Sequence, residues 1–388
     1  MQEEVRQEAV RRYLADEKPK DILRDLKRSR PWLYKWIARY RSGGDDWYVS
    51  EPRAPRRVAN RTSEDIEALV VKARCELENT KYAQIGANAI KWRLKKLGLT
   101  DDKLPEVWTI NRIIARYGLK RRKRAYESKA KPYPKVAAHL PNDLHQADVV
   151  GPRYLKVGVR FYSLNVLDLV THRVAVNPIE SKNDASLAHA LFASWSRLGL
   201  PRYVQLDNQQ ALRGANRYPR SFGLVIRCCL NAGVTPIFIP ISEPWRNPEI
   251  ERFNDVWDKV FFRTQHFDRF DLLCTEASVF EAFHNENHRY SALSGKTPQE
   301  ALQASGHTLN RLDTQVSLLS GAPTSGTVKL IRFIRSDGKL DIFSERFQLD
   351  KSVVYEYVTA TIYVKEQRLI VDCQGQEVTT IDYKLPWL

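Results

Sequence analysis

The chain has 388 residues, of which 43% are hydrophobic, and a formal net charge of +16 at pH 7. At roughly 100–200 residues per domain, this length predicts two to four domains, and the hydrophobic fraction excludes a wholly disordered chain. No apolar run approaches the roughly 18 residues of a membrane-spanning helix, and the charged start MQEEVRQEAVRRYL predicts no signal peptide. Five scattered cysteines without a CxxC pair argue against disulfides or structural zinc and favour a reducing cytoplasm.

The positive charge is concentrated in the first third of the chain. Residues 1–140 contain 34 Lys and Arg against 19 Asp and Glu, whereas the remainder contains 28 against 27. Such asymmetry favours an anionic polymer as partner, bound mainly through the basic third. A merely soluble basic surface is the alternative. A basic membrane-surface helix fits less well, because the charges recur over several short helical patterns.

The first 50 residues predict a helix-turn-helix unit. Apolar spacing predicts helices over residues 3–14, 19–29 and 31–41, with Ser29 as a cap and Pro31 in the first turn of the third. The third helix is predicted to turn Trp32, Leu33, Trp36, Ile37 and Tyr40 inward and Lys35, Arg39 and Arg41 outward. A basic third helix of this kind can lie in the major groove of DNA. A plain three-helix bundle is the alternative.

A basic linker over residues 51–61 leads to a second predicted helix-turn-helix unit, of winged-helix type, over residues 62–125. Ser63 can cap a helix over 64–78, and further helices are predicted over 85–97 and 109–117. The run of five cations at 120–124 favours an anion alongside, since like charges repel; a nuclear-localisation signal is the alternative. Two tandem units imply a long, bipartite DNA site, and residues 126–140 read as a linker. The candidate DNA contacts of the basic third are Lys35, Arg39, Arg41, Arg56, Arg57, Arg112, Arg116, Lys120, Arg121, Arg122, Lys123 and Arg124.

From Leu144 the pattern changes to alternating strands and helices, which predicts a mixed α/β domain with one central sheet. The predicted strands cover residues 147–150, 154–159, 161–170, 171–179, 203–206 and 235–241, and the predicted helices cover 186–198, 222–232 and 248–262.

Three carboxylates stand at informative positions in this domain. Asp148 interrupts an apolar strand, Asp207 ends a short strand, and Glu251 opens a helix. A carboxylate in a buried strand is costly unless it is paired, hydrogen-bonded or bound to metal. Three acids brought together can bind Mg²⁺, and a pair of such ions can activate a water and stabilise the leaving oxygen of a phosphodiester. Other acids read as structural or surface charges: Asp143, Asp168, Glu243 and Glu249.

The three segments around these acids resemble the motifs of DDE-type integrases and transposases of bacterial insertion sequences. They are LHQADVV around Asp148, LDN around Asp207, and SEPWRNPEIERF, in which Asn247 precedes Glu251 by four. The later segment HNENHRYSALSGKTP, with Arg289, resembles the part that closes such cores near DNA. The zinc-binding His/Cys unit of retroviral integrases is absent from the sequence.

The resemblance implies a ribonuclease H-like core with a mixed five-stranded sheet over residues 141–305. It implies that Asp148, Asp207 and Glu251 bind two Mg²⁺ ions, for which Mn²⁺ can substitute, and catalyse DNA cleavage and strand transfer. Asn208, Asn247 and Arg252 are expected beside the site or at DNA. The implied partners are the terminal inverted repeats of an element and its target DNA, bound by a homo-multimer, with no membrane. The implied location is the bacterial cytoplasm, at the nucleoid.

After a connector over residues 306–326, the chain becomes strand-rich. Short predicted strands separated by turns over residues 327–388 indicate a small β-barrel for DNA or subunit contacts. Two alternatives to an active transposase remain at this point. One is a DNA-binding protein or regulator with an inert core, and the other is a structure-specific nuclease on the same fold.

Overall fold

The protein is described by a computed structural model that covers residues 2–50, 62–120, 133–214, 219–312 and 321–387. It divides into two compact units, Met1–Thr62 and Ser63–Leu388. Six of the predicted DNA contacts lie outside the described residues, namely Arg56, Arg57, Arg121, Arg122, Lys123 and Arg124.

The smaller unit is a bundle of three helices, α1 (Gln2–Leu14), α2 (Pro19–Leu26) and α3 (Arg30–Arg41). Its core is formed by Ala9, Val10, Ile22, Leu33, Trp36 and Ile37. Ser29 holds the N-cap position of α3 without a side-chain cap hydrogen bond. The prediction that Tyr40 points inward is wrong, because its side chain is 41% exposed and its ring packs edge-on against Trp47.

The larger unit begins with a second helical bundle, α4 (Glu64–Glu78), α5 (Ala87–Lys96) and α6 (Val107–Arg116). This bundle has its own core, built from Val70, Ala73, Leu77, Ile90, Leu94, Ile110 and Ile113. As at Ser29, the predicted cap Ser63 makes no side-chain cap bond.

A nine-stranded sheet runs through the rest of the larger unit, in the order β11-β10-β9-β6-β5-β4-β1-β2-β3. Its strands are β1 (Leu144–Tyr154), β2 (Arg160–Asp168), β3 (Val174–Ile179), β4 (Tyr203–Leu206), β5 (Thr235–Phe238), β6 (Thr327–Phe333), β9 (Tyr357–Tyr363), β10 (Arg368–Cys373) and β11 (Gln376–Asp382). The hairpin β7 (Lys339–Ile342) and β8 (Glu345–Gln348) forms a separate pair. β1, β2 and β3 are antiparallel neighbours, and β1, β4, β5 and β6 are parallel neighbours.

Helices cover this sheet with two apolar cores. The helices are α7 (Asp184–Leu198), α8 (Gln210–Arg213), α9 (Leu224–Asn231), α10 (Pro248–Val256), α11 (Phe270–Asn287) and α12 (Pro298–Ser305). One core contains Trp195 and the buried side chains of α7 and α9. The other contains Trp257 and the aromatic side chains of α10 and α11. Within the described residues, none of these helices has the length and apolar character needed to cross a lipid bilayer.

The sheet differs from the prediction in three ways. It has nine strands instead of five, because β6, β9, β10 and β11 extend it beyond β5. A separate C-terminal barrel is therefore not confirmed. The strand predicted over residues 154–159 is absent; β1 reaches Tyr154, and a turn closed by Leu155 and Val159 follows.

Candidate active site

The sheet register brings Asp148 and Asp207 to the same level. β1 and β4 are parallel neighbours in which Gln146 pairs with Gln205, so two residues further along Asp148 lies level with Asp207. Adjacent strands are about 4.8 Å apart, and residues two apart point to the same face. That face carries α10, because Gln146 Oε1 accepts the amide of Ile250 at 3.1 Å. The first turn of α10 supplies Glu251.

Burial raises the pKa of all three carboxyl groups, and Asp148 also feels the charges of the other two. Burial, followed by the charges of Asp207 and Glu251, raises the pKa of Asp148 to about 6. Burial also raises the pKa of Asp207, partly offset by hydrogen bonds from Gln209 and by the Lys182 charge. The pKa of Glu251 is raised by burial and by Asp255.

Asp148 is held by a chain of side-chain amides that sequence reasoning missed. Asn254 Nδ2 donates to Asp148 Oδ2 at 2.7 Å, and Asn165 Nδ2 donates to Asn254 Oδ1 at 2.8 Å. Asn165 is also the cross-strand partner of Asp148, and its Oδ1 accepts from Ser163 Oγ at 2.7 Å. The signal for Asn254 was present, because residues three apart lie on one face of a helix and Asn254 follows Glu251 by three.

The turn after β4 positions Asp207. Asp207 Oδ1 accepts the amide of Gln209 at 3.0 Å. Asn208 does not point freely into the site, because its Nδ2 donates to the Ile239 carbonyl at 2.5 Å and its Oδ1 accepts from Arg332 at 2.9 Å. Asn208 is thus a brace between the ends of neighbouring strands.

The loop before α10 is fixed in the same manner. Asn247 is 3% exposed, its Oδ1 accepts from Gln205 Nε2 at 2.6 Å, and its carbonyl accepts the Glu251 amide at 3.1 Å. Asn247 therefore orients the helix that carries Glu251. Arg252 is exposed and forms an ion pair with Glu249 at 2.8 Å.

The acids interpreted as structural have structural contacts. Asp168 is buried and accepts hydrogen bonds from the amides of Asn142 and Thr171. Asp143 accepts two backbone amides, and Glu243 forms an ion pair with Arg246. Each of these acids, including Glu249 with Arg252, thus has contacts of its own.

The predicted DNA contacts divide into exposed and internal cations. Lys35, Arg41, Arg112 and Lys120 are exposed. Arg39 is half-buried and donates to the Val49 carbonyl at 3.1 Å.

Arg116 and Arg289 form ion pairs within the protein, and the Arg116 side chain is 44% exposed. Arg116 forms an ion pair with the buried Glu67. The Arg289 side chain is 11% exposed, forms an ion pair with Glu300 at 2.9 Å and stacks on Trp92 of α5. These contacts join the helical bundle to the end of the core, and they leave little of the Arg289 side chain exposed for the predicted DNA contact.

The donor set fits a hard divalent cation. Asp148, Asp207 and Glu251 offer only carboxylate oxygens, which Mg²⁺ prefers. A bound cation would offset the burial and the neighbouring negative charges that raise the pKa of Asp148. Among the described residues, no three His, Cys, Asp or Glu side chains are already arranged as a metal cluster.

Comparison with known proteins identifies the N-terminal region. Residues 1–46 match the family model of the Homeodomain-like domain, which confirms the helix-turn-helix prediction for the smaller unit. With the mixed sheet and helices that follow, this supports the predicted architecture of a DDE-type transposase or integrase.

Several solved structures are similar to parts of this chain. The HTLV-2 integrase catalytic core domain in complex with magnesium is 17% identical, with a TM-score of 0.32, and the match covers 42% of this chain and 97% of that chain. A BIV integrase catalytic core domain is 15% identical over 43% of this chain and 97% of that chain, with a TM-score of 0.33. A simian T-cell lymphotropic virus intasome in complex with a PP2A regulatory subunit is 14% identical over 77% of this chain and 93% of that chain, with a TM-score of 0.38.

Proposed function

We propose that this protein is a DNA transposase or integrase that binds the ends of a mobile element and catalyses Mg²⁺-dependent cleavage and strand transfer. The observation that carries the proposal is the convergence of Asp148, Asp207 and Glu251 on one face of the sheet, where two of the carboxylates raise the pKa of the third. A group of like charges in a half-buried site is unfavourable by itself. Bound cations would compensate these charges and take part in the reaction.

Each carboxylate has a distinct role in this proposal. Asp148, central and tied by Asn254, would hold both ions, while Asp207 and Glu251 would each hold one. When bound, the ions supply Lewis acidity and an activated water or 3′-hydroxyl for in-line attack on a phosphodiester. Asn254 keeps the Asp148 carboxylate oriented, and Asn247 fixes the helix that presents Glu251.

The smaller unit would deliver DNA to this site. It matches a Homeodomain-like domain and presents exposed Lys35 and Arg41 on its third helix. Helices of this type read the major groove, and the exposed cations neutralise phosphates. Because strand transfer joins two element ends, we propose that a homo-multimer assembles on DNA.

The test is a cleavage assay with the full-length protein, Mg²⁺ and DNA carrying the inverted repeats that flank the gene. Asp148→Asn and Glu251→Gln should abolish cleavage and leave DNA binding unchanged, because each removes a carboxylate and keeps the side-chain shape. Glu249→Gln is the matched control, since Glu249 lies one half-turn away on the same helix and pairs with Arg252.

Undiminished cleavage by both site variants would refute the assignment of the site. DNA binding by the wild type without any metal-dependent cleavage would favour a regulator with an inert core.

A further inference from the structure

A buried cation in the C-terminal part of the sheet reaches toward the site. Arg332 of β6 is 5% exposed, and its guanidinium donates to four oxygens. The acceptors are Oδ1 of Asn208 at 2.9 Å and the carbonyls of Ile331 at 2.9 Å, Asp341 at 3.1 Å and Ile239 at 3.2 Å. All four are neutral amide oxygens. A cation is expensive to bury, so its position is defined by the acceptors that satisfy it.

One of these bonds fixes the turn that carries Asp207. β6 pairs with β5 through Leu330 and Phe238, so Arg332 extends past the end of β5. There it meets the Ile239 carbonyl, which also accepts from Asn208. Arg332, Asn208 and Ile239 therefore form a closed triangle of hydrogen bonds across the ends of three neighbouring strands, beside Asp207.

The same extension also contacts the loop that leads to Glu251. The Tyr357 hydroxyl, on β9, is within hydrogen-bond distance of Glu243 at 2.8 Å and of Arg246 at 2.7 Å. Glu243 and Arg246 belong to the segment immediately before Asn247 and α10. The C-terminal strands thus brace both loops that present site carboxylates.

A purely structural role for Arg332 would be to tie β6 to its neighbours through backbone carbonyls. Two of its four bonds do that, to the carbonyls of Ile239 and Asp341, and a third ends on Ile331 of β6 itself. The fourth bond ends on a side chain, that of Asn208, which follows Asp207 directly in the chain and is oriented by the guanidinium. This bond separates the two roles experimentally.

We propose that Arg332 is a positioning residue of the active site, acting through Asn208 to hold Asp207 in place for metal binding. The inference rests on the proposed function. It makes the C-terminal strands a part of the catalytic centre, whereas the sequence predicted a separate barrel for DNA or subunit contacts.

Mn²⁺ binding to the full-length protein, followed by the EPR signal of free Mn²⁺, tests the inference without requiring activity. Arg332→Met should weaken Mn²⁺ binding by about tenfold or more, the range found when residues behind metal ligands are removed. Asp207→Asn serves as the reference for loss of the site. Arg346→Met is the matched control, because Arg346 is an exposed arginine of the neighbouring hairpin that pairs with Asp341.

A double mutant separates positioning from stability. If Arg332 acts through Asn208, Arg332→Met combined with Asn208→Leu should bind Mn²⁺ no more weakly than Asn208→Leu alone. An additional loss in the double mutant, equal to that in the single mutant, would assign Arg332 a structural role and overturn the inference. Arg332→Lys keeps the charge with fewer donors and should weaken Mn²⁺ binding several-fold. This variant replaces Arg332→Met if the latter does not fold. Mn²⁺ binding by Arg332→Lys at the wild-type level would then contradict the inference.

The failures are distinguishable. If Asp207→Asn binds Mn²⁺ like the wild type, the proposed function falls and this inference falls with it. If binding is lost in Asp207→Asn and retained in folded Arg332→Met, the inference alone is wrong.

Discussion

The two helical bundles share a plan and differ in how they join the rest of the protein. Both have three short helices around an apolar core and both are rich in cations. The first is part of a compact unit of its own, Met1–Thr62, whereas the second belongs to the same compact unit as the sheet. The joint of the second bundle is the loop between α4 and α5. Tyr82 of that loop is 8% exposed and packs among the rings of Phe261, Phe280 and Phe283.

A helical pattern in the sequence therefore predicts a bundle, but it does not indicate whether that bundle forms a separate compact unit. Some cations of the second bundle form ion pairs within the protein, such as Arg116 with Glu67 and Arg93 with Glu76. In addition, Arg289 of the core stacks on Trp92 of the second bundle. Part of the basic charge of the first third therefore holds the protein together. The exposed cations of the first unit are the clearer candidates for DNA.

A large effect is expected from a substitution at the joint itself. Tyr82→Ala should lower the free energy of unfolding of the larger unit by about 3 kcal/mol, because it leaves a cavity in an aromatic cluster. Urea denaturation of the full-length protein measures the loss. Tyr154→Ala is the control, since Tyr154 is 58% exposed in the same unit. Equal effects of the two substitutions would mean that the joint is not a packed interface.

Acid should weaken the same joint through its histidines. Burial, together with the charge of His172, lowers the pKa of His288 to about 3, and burial, His288 and His172 hold the pKa of His284 well below its usual range. His288 also faces Tyr290 and, through Nε2, the Gln84 side chain at 2.8 Å. Three charged groups lie near this cluster and affect the pKa of His172: Glu249, Asp168 and Arg252.

Because unfolded histidine titrates near pH 6.5, the unfolded chain binds protons below that pH that the folded chain cannot accept. Stability should be complete above about pH 6.5 and fall as the pH drops toward 3, by about 1.4 kcal/mol per pH unit for each such histidine. His288→Gln should reduce this slope by about one histidine's share, measured by urea denaturation at several pH values. The exposed His266 provides the control variant His266→Gln. An unchanged slope in His288→Gln would contradict the assignment.

Salt dependence of DNA binding sharpens the contrast between exposed and internal cations. Lys35→Gln and Arg41→Gln should each reduce the slope of log affinity against log salt by about 1, as expected for one lost phosphate contact. Arg289→Gln should leave that slope unchanged, because its guanidinium is paired with Glu300. Titration of full-length protein with DNA at several salt concentrations measures the slopes, and a reduced slope for Arg289→Gln would return that residue to the DNA contacts.

The smallest effect concerns the ion pair next to Tyr82. Lys81 and Glu276 lie 2.8 Å apart, with side chains 55% and 28% exposed. Exposed pairs contribute at most about 1 kcal/mol, so Lys81→Ala should destabilise the larger unit far less than Tyr82→Ala. A loss comparable to that of Tyr82→Ala would show that charge, and not packing, joins the second bundle to the core.

Local patterns predicted most elements of the fold. The helix predicted over residues 64–78 and the strand predicted over 203–206 coincide with α4 and β4, because apolar spacing and chain breakers act over short distances. The helices α11 and α12 were not predicted. Short strands were predicted over residues 327–388, but their pairing was not, since no local pattern indicates whether β6 pairs with β5 or closes a barrel.

The site follows the same rule. Asp148, Asp207 and Glu251 were selected by the order of three short motifs, and the strand register brings the first two to one level. Arg332 could not be found in this way, because its partner Asn208 lies 124 positions away in a different motif. Arg289 was assigned to DNA from a resemblance, and only its contacts with Glu300 and Trp92 reveal its internal position.

The continuous sheet also sets an order of events during synthesis. β5 pairs on one side with β4 and on the other with β6, so a chain that ends before Thr327 leaves one edge of β5 open. The ribosome makes the N-terminal unit first, and domains generally fold as units when they emerge. All three carboxylates emerge before Arg332 and the strands that brace their loops. Under the proposed function, an incomplete chain can bind DNA before it can cleave DNA.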